Sequence, residues 1–233
     1  MRILEFITMD GLLLVNKPRG ITSYRVVDII KKRFKVKKVG HAGTLDPQAT
    51  GLLIILLGSY TKRTAEFIGL HKTYSATLQL GVVTDTADAA GKIIAQSRVL
   101  PYNLLYLKNV INSFIGDVSQ IPPMYSAKSV RGVRLYKLAR RGIVIKRKPI
   151  KVKIYDLEII QINLPDIMFT VRCSTGTYIR TLCEDIGRKI GCGAHLVKLC
   201  RTKIANYQLA DAIDEGILNQ CTHDQLLKYL KNT

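Results

Sequence analysis

One carboxylate, Asp46, stands in the stretch Gly40-His41-Ala42-Gly43-Thr44-Leu45-Asp46-Pro47-Gln48-Ala49-Thr50-Gly51, among glycines and small residues and just before a proline. Proline disfavours the α region for the residue before it, so Asp46 is expected in an extended or turn conformation. The apolar run Leu52 to Leu57 follows and is long enough for a buried strand. A carboxylate at the mouth of a core strand is a candidate catalytic position. The same residues also suit an Asx-type turn that caps a strand.

The elements around this loop follow from pattern. Gly11 to Val15 reads as a short strand closed by the turn-like Asn16-Lys17-Pro18-Arg19-Gly20. Thr22 or Ser23 can then cap a helix carrying Val26, Val27, Ile29, Ile30 and Phe34. Ser59 to Gly69 reads as a helix. Lys72 to Val82 alternates as a strand, with Tyr74, Ala76, Leu78, Leu80 and Val82 on one face. Thr84 to Gly91 is a polar loop with Asp85 and Asp88, and Pro101 to Gly116 a helix offering Leu104, Leu105, Leu107, Val110, Ile111 and Phe114 for packing. Further on, 151–160 and 166–173 read as strands, Tyr178 to Ile190 as a helix closed by Gly191, Ala194 to Ile204 as a core strand, and 211–231 as two short helices. Strands and helices mix without regular βαβ alternation, so one α+β domain over 1–233 is expected.

Charge narrows the partners. Thirty-six Lys and Arg face seventeen Asp and Glu, a net +19, with a pI near 9.9. Such a surplus suits a polyanion, because neutralising phosphates releases counterions. Lys31, Lys32, Arg33, Lys35, Lys37 and Lys38 crowd together just before Gly40 and are candidate phosphate contacts, or else a solvated face. A second basic segment, 121–148, interleaves Arg131, Arg134, Lys137, Arg140, Arg141, Lys146, Arg147 and Lys148 with Tyr125 and Tyr136, a mixture suited to phosphates and stacked bases. No secretory signal is expected in the first ten residues, which hold Arg2, Glu5 and Asp10, and no apolar run could span a bilayer. The five cysteines, at 173, 183, 192, 200 and 221, form no CxxC pair and are expected as reduced, mostly buried thiols without metal.

With these residues in view, the chain resembles the TruB family of pseudouridine synthases. The Gly40 to Leu53 stretch looks like that family's signature loop. Asn16-Lys17-Pro18-Arg19-Gly20, Lys72-Thr73-Tyr74, Pro122-Pro123-Met124-Tyr125-Ser126-Ala127, Cys173-Ser174-Thr175-Gly176-Thr177-Tyr178-Ile179-Arg180 and Gly191-Cys192-Gly193-Ala194-His195-Leu196 agree with it in order. The likeness covers about 11–210, and the bacterial tRNA-modifying branch fits better than the longer RNA-guided branch. The resemblance implies a pseudouridine synthase fold, with a mixed, largely antiparallel sheet, flanking helices and a central RNA-binding cleft. It implies isomerisation of uridine in the T-loop of tRNA, at position 55, with no cofactor. Asp46 matches the catalytic aspartate, acting on C1′ or on a sugar proton. Tyr74, Arg180, Leu199 and Tyr178 match base-binding positions, and His41 matches a histidine that fills the space left by the flipped base. Lys17, Lys62 and Lys128 are candidate tRNA backbone contacts.

A monomer acting on the T-arm of tRNA in the cytoplasm, with no membrane and no required protein partner, completes the expectation. Bacterial members usually continue into a small C-terminal RNA-binding domain, expected to be missing here. The basic charge is then expected to compensate in part, making tRNA binding fall steeply with salt.

Overall fold

The computed structural model describes residues 9–126, 128–130 and 132–231. Residues 1–8, Ala127 of the Pro-Pro motif and Arg131 of the basic segment lie outside the described residues. The chain forms two compact units. The first comprises residues 1–73 and 200–233, and the second residues 74–199.

The first unit opens with β1 (Gly11–Lys17), α1 (Ser23–Arg33), β2 (Val39–Ala42) and β3 (Thr50–Leu57). Thr22 caps α1, its side chain accepting from the Arg25 amide. β3 lies antiparallel to β1 and to β2. Both of its faces are covered, which is why its sequence is continuously apolar rather than alternating. Leu53, Ile55 and Leu57 join Val26, Val27 and Ile30 of α1 in one core cluster. Leu52, Ile54 and Leu56 join a second, which includes Phe67. Phe67 belongs to α2 (Thr64–Gly69).

Residues 59–69 do not form the single helix expected. A 3-10 turn, Gly58–Arg63, precedes α2. The Thr61 hydroxyl donates to the Gly58 carbonyl at 2.7 Å and that of Thr64 to the Thr61 carbonyl at 2.6 Å. These side-chain bonds compete with a regular α-helical start.

β4 (Lys72–Leu80) passes from the first unit into the second and buries Tyr74, Ala76, Leu78 and Leu80, as its alternation predicts. It stops short of Val82 because Gly81 turns the chain at φ +80°. A Cβ there would lie 2.6 Å from Val99 Cγ2. β5 (Val82–Thr84) then pairs with β6 (Ile93–Gln96) around the polar loop. α3 (Leu104–Asn112) is shorter than expected, since the Asn103 side chain caps it. Leu107, Val110 and Ile111 face inward, while Leu104 and Leu105 are 53% and 65% exposed and do not pack as expected.

β7 (Gly116–Gln120), the small antiparallel pair β8 (Ser129–Val130) and β9 (Val133–Arg134), and α4 (Leu135–Arg140) follow. β10 (Ile150–Asn163) and β11 (Asp166–Cys173) form an antiparallel pair, and β7 adds to β10. α5 (Ile179–Ile190) ends where Gly191, at φ +102°, returns its amide to the Gly187 carbonyl. β12 (Ala194–Ile204) leads back into the first unit, where Cys200 and Arg201 run parallel to Thr50 and Gly51. β13 (Tyr207–Gln208), β14 (Ile213–Asp214), α6 (Glu215–Gln220) and α7 (His223–Tyr229) complete the described chain, with β14 alongside β1. Cys173, Cys183, Cys192 and Cys221 are buried, Cys200 is half-buried, and all five are free thiols.

Gly51 has both a left-handed φ of +104° and a packing constraint, since a Cβ would stand 2.4 Å from the Arg201 carbonyl oxygen. Gly20 has φ +93° but open space around it. Strain and overpacking together predict that Gly51→Ala costs about 3 kcal/mol or more, against about 1 kcal/mol for Gly20→Ala. Urea unfolding of the two variants measures the difference.

Candidate active site

In the first unit, Asp46 sits on a loop whose backbone is fastened on every side. The Ser23 hydroxyl, at the start of α1, accepts from the Leu45 amide at 2.9 Å and donates to the Leu45 carbonyl at 3.2 Å. The Gly20 amide reaches the Pro47 carbonyl at 2.8 Å, and the Ala49 amide reaches that of Asp46 at 3.0 Å. On the surface, Arg19 Nε donates to Gln48 Oε1 at 2.8 Å.

Two buried cations, Arg201 and Lys17, add to these bonds, and a third, Lys72, fastens the end of α2 nearby. Arg201, 1% exposed, donates from Nε to the Leu52 carbonyl at 2.7 Å and from a terminal nitrogen to the Gly43 carbonyl at 2.9 Å. It therefore ties down the residues on both flanks of Asp46. A Cβ on Gly43 would come within 3.4 Å of the guanidinium, so the absent side chain lets the two meet. Lys17 is fully buried, and its Nζ donates to the carbonyls of Pro18, Ile21 and Pro47 at 2.8, 2.9 and 3.4 Å. Lys72, 5% exposed, gives its ammonium to the carbonyls of Ile68 and Leu70, both at 2.6 Å.

This corrects the expectation that Lys17 contacts the tRNA backbone. Its side chain is fully buried and its charge is turned inward, onto the carbonyls of Pro18 and Ile21 and, at 3.4 Å, of Pro47 in the Asp46 loop. Burial pushes its pKa down to about 8, with Asp46 acting to raise it and Arg201 to lower it further. His41 stands on β2 opposite Ile55, half-buried, with Nδ1 enclosed and without a hydrogen-bond partner among the described residues. Burial, then the Arg201 charge, depress its pKa, which favours the neutral ring. Lys62 is exposed.

The second unit carries Tyr74, Tyr178, Arg180 and Leu199. Tyr74 is 9% exposed on β4, and Leu199 is half-buried on β12. Arg180 lies in the first turn of α5 and is 5% exposed. Its guanidinium donates to the Tyr125 carbonyl at 2.8 Å and the Thr86 carbonyl at 3.3 Å, and stands 3.7 Å from Asp88 Oδ2. Asp88 is itself oriented, its Oδ1 accepting from Thr86 Oγ1 at 2.7 Å and the Ala90 amide at 3.0 Å. Between these residues Ala87 takes a left-handed φ of +59°, an uncommon conformation for a side-chain-bearing residue. Its carbonyl accepts from the Leu196 amide, which pins the strained loop. Gln120 reads the backbone of Tyr178 twice, accepting from its amide at 3.0 Å and donating to its carbonyl at 3.2 Å. Lys128 is half-buried beside the β8–β9 pair, and Arg147 donates to the Pro122 carbonyl at 3.2 Å.

The sequence alone assigns no site role to Arg201, Ser23, Asp88 or Gln120, and it marks Ser23 only as a candidate cap of α1. Arg201 did leave a signal, a charged residue within a strand otherwise read as core. Asp88 stands out in the sequence only as one of two carboxylates in a polar loop. No group of three or more His, Cys, Asp or Glu residues that could hold a metal ion occurs among the described residues. No helix of the described chain is long and apolar enough to cross a membrane.

The profile of the TruB family pseudouridylate synthase N-terminal domain matches residues 31–179. That of the tRNA pseudouridylate synthase B C-terminal domain matches 180–231, so the family likeness runs past residue 210. The tRNA pseudouridine synthase B of Clostridium tetani is 48% identical over 215 residues, covering 91% of this chain and 73% of that protein. The tRNA pseudouridine synthase B of Protochlamydia amoebophila is 44% identical over 216 residues, covering 92% and 82%. Among solved structures, a crystal structure of a Cbf5–Nop10–Gar1 complex superposes with a TM-score of 0.75 at 26% identity, over 99% of this chain and 62% of that one. An H/ACA RNP bound to a substrate RNA containing 2′-deoxyuridine gives 0.66 at 26% identity, over 90% and 52%. The chain thus spans between half and two thirds of these two solved chains. The α+β pseudouridine synthase fold expected from the signature loop is confirmed, and the chain belongs to the TruB family of pseudouridylate synthases.

Proposed function

We propose that this chain isomerises uridine to pseudouridine within tRNA, at the T-loop uridine of position 55. The C1′–N1 bond breaks, the uracil turns, C1′ bonds to C5, and the proton on C5 is lost while N1 gains one. The reaction is balanced without an oxidant, a reductant or an energy source. Two relatives more than 40% identical across most of the chain carry the name tRNA pseudouridine synthase B, which supports the tRNA substrate. The observation that carries the reading is the Asp46 loop, where a carboxylate is held on a backbone fixed by Ser23, Lys17 and Arg201.

Asp46 is assigned the reacting carboxylate, as nucleophile at C1′ or as base at the sugar. A uridine inside folded RNA must leave its stack to meet such a group. Tyr74 is assigned stacking on the extruded uracil, Leu199 apolar contact with it, and Tyr178 a further wall of base binding. Arg180 is assigned charge stabilisation, its orientation set by Asp88 and by the Thr86 and Tyr125 carbonyls. His41, as a neutral ring, suits the space vacated by the base. Lys62 and Lys128 are assigned to the RNA backbone, where they govern affinity more than sequence choice. The enzyme is assigned to the cytoplasm and acts as a monomer, with no protein partner and no cofactor.

Incubation with an unmodified tRNA transcript, followed by carbodiimide mapping, tests activity and position together. A stop at the T-loop uridine is expected, and a transcript without one overturns the reading. Asp46→Asn is expected to lower product formation by at least about 10⁴-fold, the scale of losing a nucleophile. Its tRNA affinity should stay within about threefold, because phosphate contacts dominate binding.

Lys17 adds a pH dependence. Its lowered pKa means the folded chain sheds this proton before the unfolded chain does. The cost of burying the charge is present in full below about pH 8 and is relieved as pH rises toward 10.5. The positive charge beside Asp46 is itself lost as pH rises through about 8, so the rate at saturating tRNA is expected to fall along an alkaline limb centred there. Lys17→Met is expected to be slow at every pH and to lack that limb. Persistence of the limb in this variant would assign it to another group.

A further inference from the structure

α1 turns Ser23, Val26, Val27 and Ile30 inward and leaves an outward face of different character. That face carries Tyr24, Arg25, Asp28, Lys31 and Lys32, followed just past the helix by Lys35. Tyr24, Asp28 and Lys31 follow at steps of four and three, the spacing of one helical stripe, with Arg25 and Lys32 flanking it and Lys35 beyond the helix end. Asp28 is the only acid on the stripe, and it lies 2.9 Å from Arg25 and 3.0 Å from Lys32, aligning both cations along the face. Tyr24 is 71% exposed, the most exposed tyrosine among the large hydrophobic side chains of the described residues.

Two features separate this face from an ordinary solvated helix. Cations in a last turn help satisfy the helix C-terminus, which accounts for Lys31 and Lys32. It does not account for a bare aromatic ring at the opposite end, nor for Lys35. Lys35 stands at φ +51° between Phe34 and Val36, which are 2% and 1% exposed. The chain accepts a left-handed residue there, with both neighbours anchored in the core and the lysine outside. Arg33 is not part of the stripe, since it donates to the Cys221 carbonyl at 3.2 Å and covers the Phe34 ring.

The stripe begins at the catalytic loop. Ser23, the residue before Tyr24, is the one whose hydroxyl brackets Leu45. From there eleven helical residues run about 16 Å at 1.5 Å each.

We propose that the outward face of α1 is an RNA-docking track that receives the strand beyond the stem-loop presented to Asp46. Tyr24 stacks on a base or closes against a terminal pair, and Arg25, Lys31, Lys32 and Lys35 neutralise backbone phosphates. Four cations, one internally paired acid and no aliphatic side chain complement a polyanion and offer little to an apolar protein surface. The assignment rests on the tRNA reading above and names where that RNA continues on this chain.

The test compares binding of a whole unmodified tRNA transcript with that of its isolated T-arm hairpin, each titrated from low to moderate salt. The triple variant Lys31→Ala, Lys32→Ala, Lys35→Ala is expected to weaken whole-tRNA binding about tenfold or more at about 0.1 M salt. It should also lower the slope of log affinity against log salt by about two to three, close to 0.7–0.9 per phosphate contact. Tyr24→Leu is expected to weaken whole-tRNA binding at least about fivefold, and Tyr24→Phe to retain it, since the phenyl face still stacks. Hairpin affinity, and the rate at saturating hairpin, should be unchanged in all three. An unaltered whole-tRNA affinity and slope would overturn the track, leaving the cations to serve the helix alone. Equal losses on hairpin and whole tRNA would also overturn it, placing these residues on the target arm itself. A wild-type chain that shows the expected binding pattern but forms no pseudouridine would overturn the functional reading and support the track.

Discussion

The Asp46 loop depends on charge buried against backbone carbonyls. Arg201, Lys17 and Lys72 have lost almost all contact with water, a cost of several kcal/mol per ion when unpaired. What offsets it is a set of short, charge-assisted hydrogen bonds to carbonyl oxygens, those of Gly43 and Leu52 flanking the loop for Arg201, those of Pro18 and Ile21 in the preceding turn for Lys17, and those of Ile68 and Leu70 at the end of α2 for Lys72. Backbone and cations therefore need one another. A loop of glycines and small residues would sample many conformations if left alone, and here its flanking carbonyls at Gly43 and Leu52 are held by one guanidinium. The depressed pKa of Lys17 records the residual cost of the arrangement.

This fastening explains the glycines better than flexibility does. Gly51 faces Arg201 across the β3–β12 pairing so closely that a Cβ would strike backbone, and Gly43 leaves room for the guanidinium itself. Both serve close approach. Ser23 connects the same loop to α1, so helix capping and loop geometry are settled within two adjacent residues, Thr22 and Ser23.

The second unit uses a related device around Arg180. A buried guanidinium meets two carbonyls and one carboxylate, and the carboxylate is steadied by a hydroxyl and an amide. The left-handed Ala87 shows that this short loop is kept in shape by its surroundings rather than by its own preference. Gln120 does the same for the backbone entering α5, where Tyr178 is gripped at both its amide and its carbonyl.

Much of this was legible in the residues. β11, β12 and the C-terminus of α5 appear where alternation, apolar runs and a closing glycine predict them, because each signal is local and lies along the chain itself. The ends that moved did so for local reasons of finer grain, as with the threonine bonds that split 59–69 and the Asn103 cap that shortens α3. The signature around Asp46 and the surplus of basic charge were also determined by sequence alone, since neither depends on how the chain folds back. Which cations face water was decided only by the tertiary structure. Lys17 and Lys62 look alike in a string of letters, yet one is sealed beneath the Asp46 loop and the other is exposed. Arg201 acquires its role through bonds to residues 149 and 158 positions away, and such partners follow from strand register, which no local pattern contains.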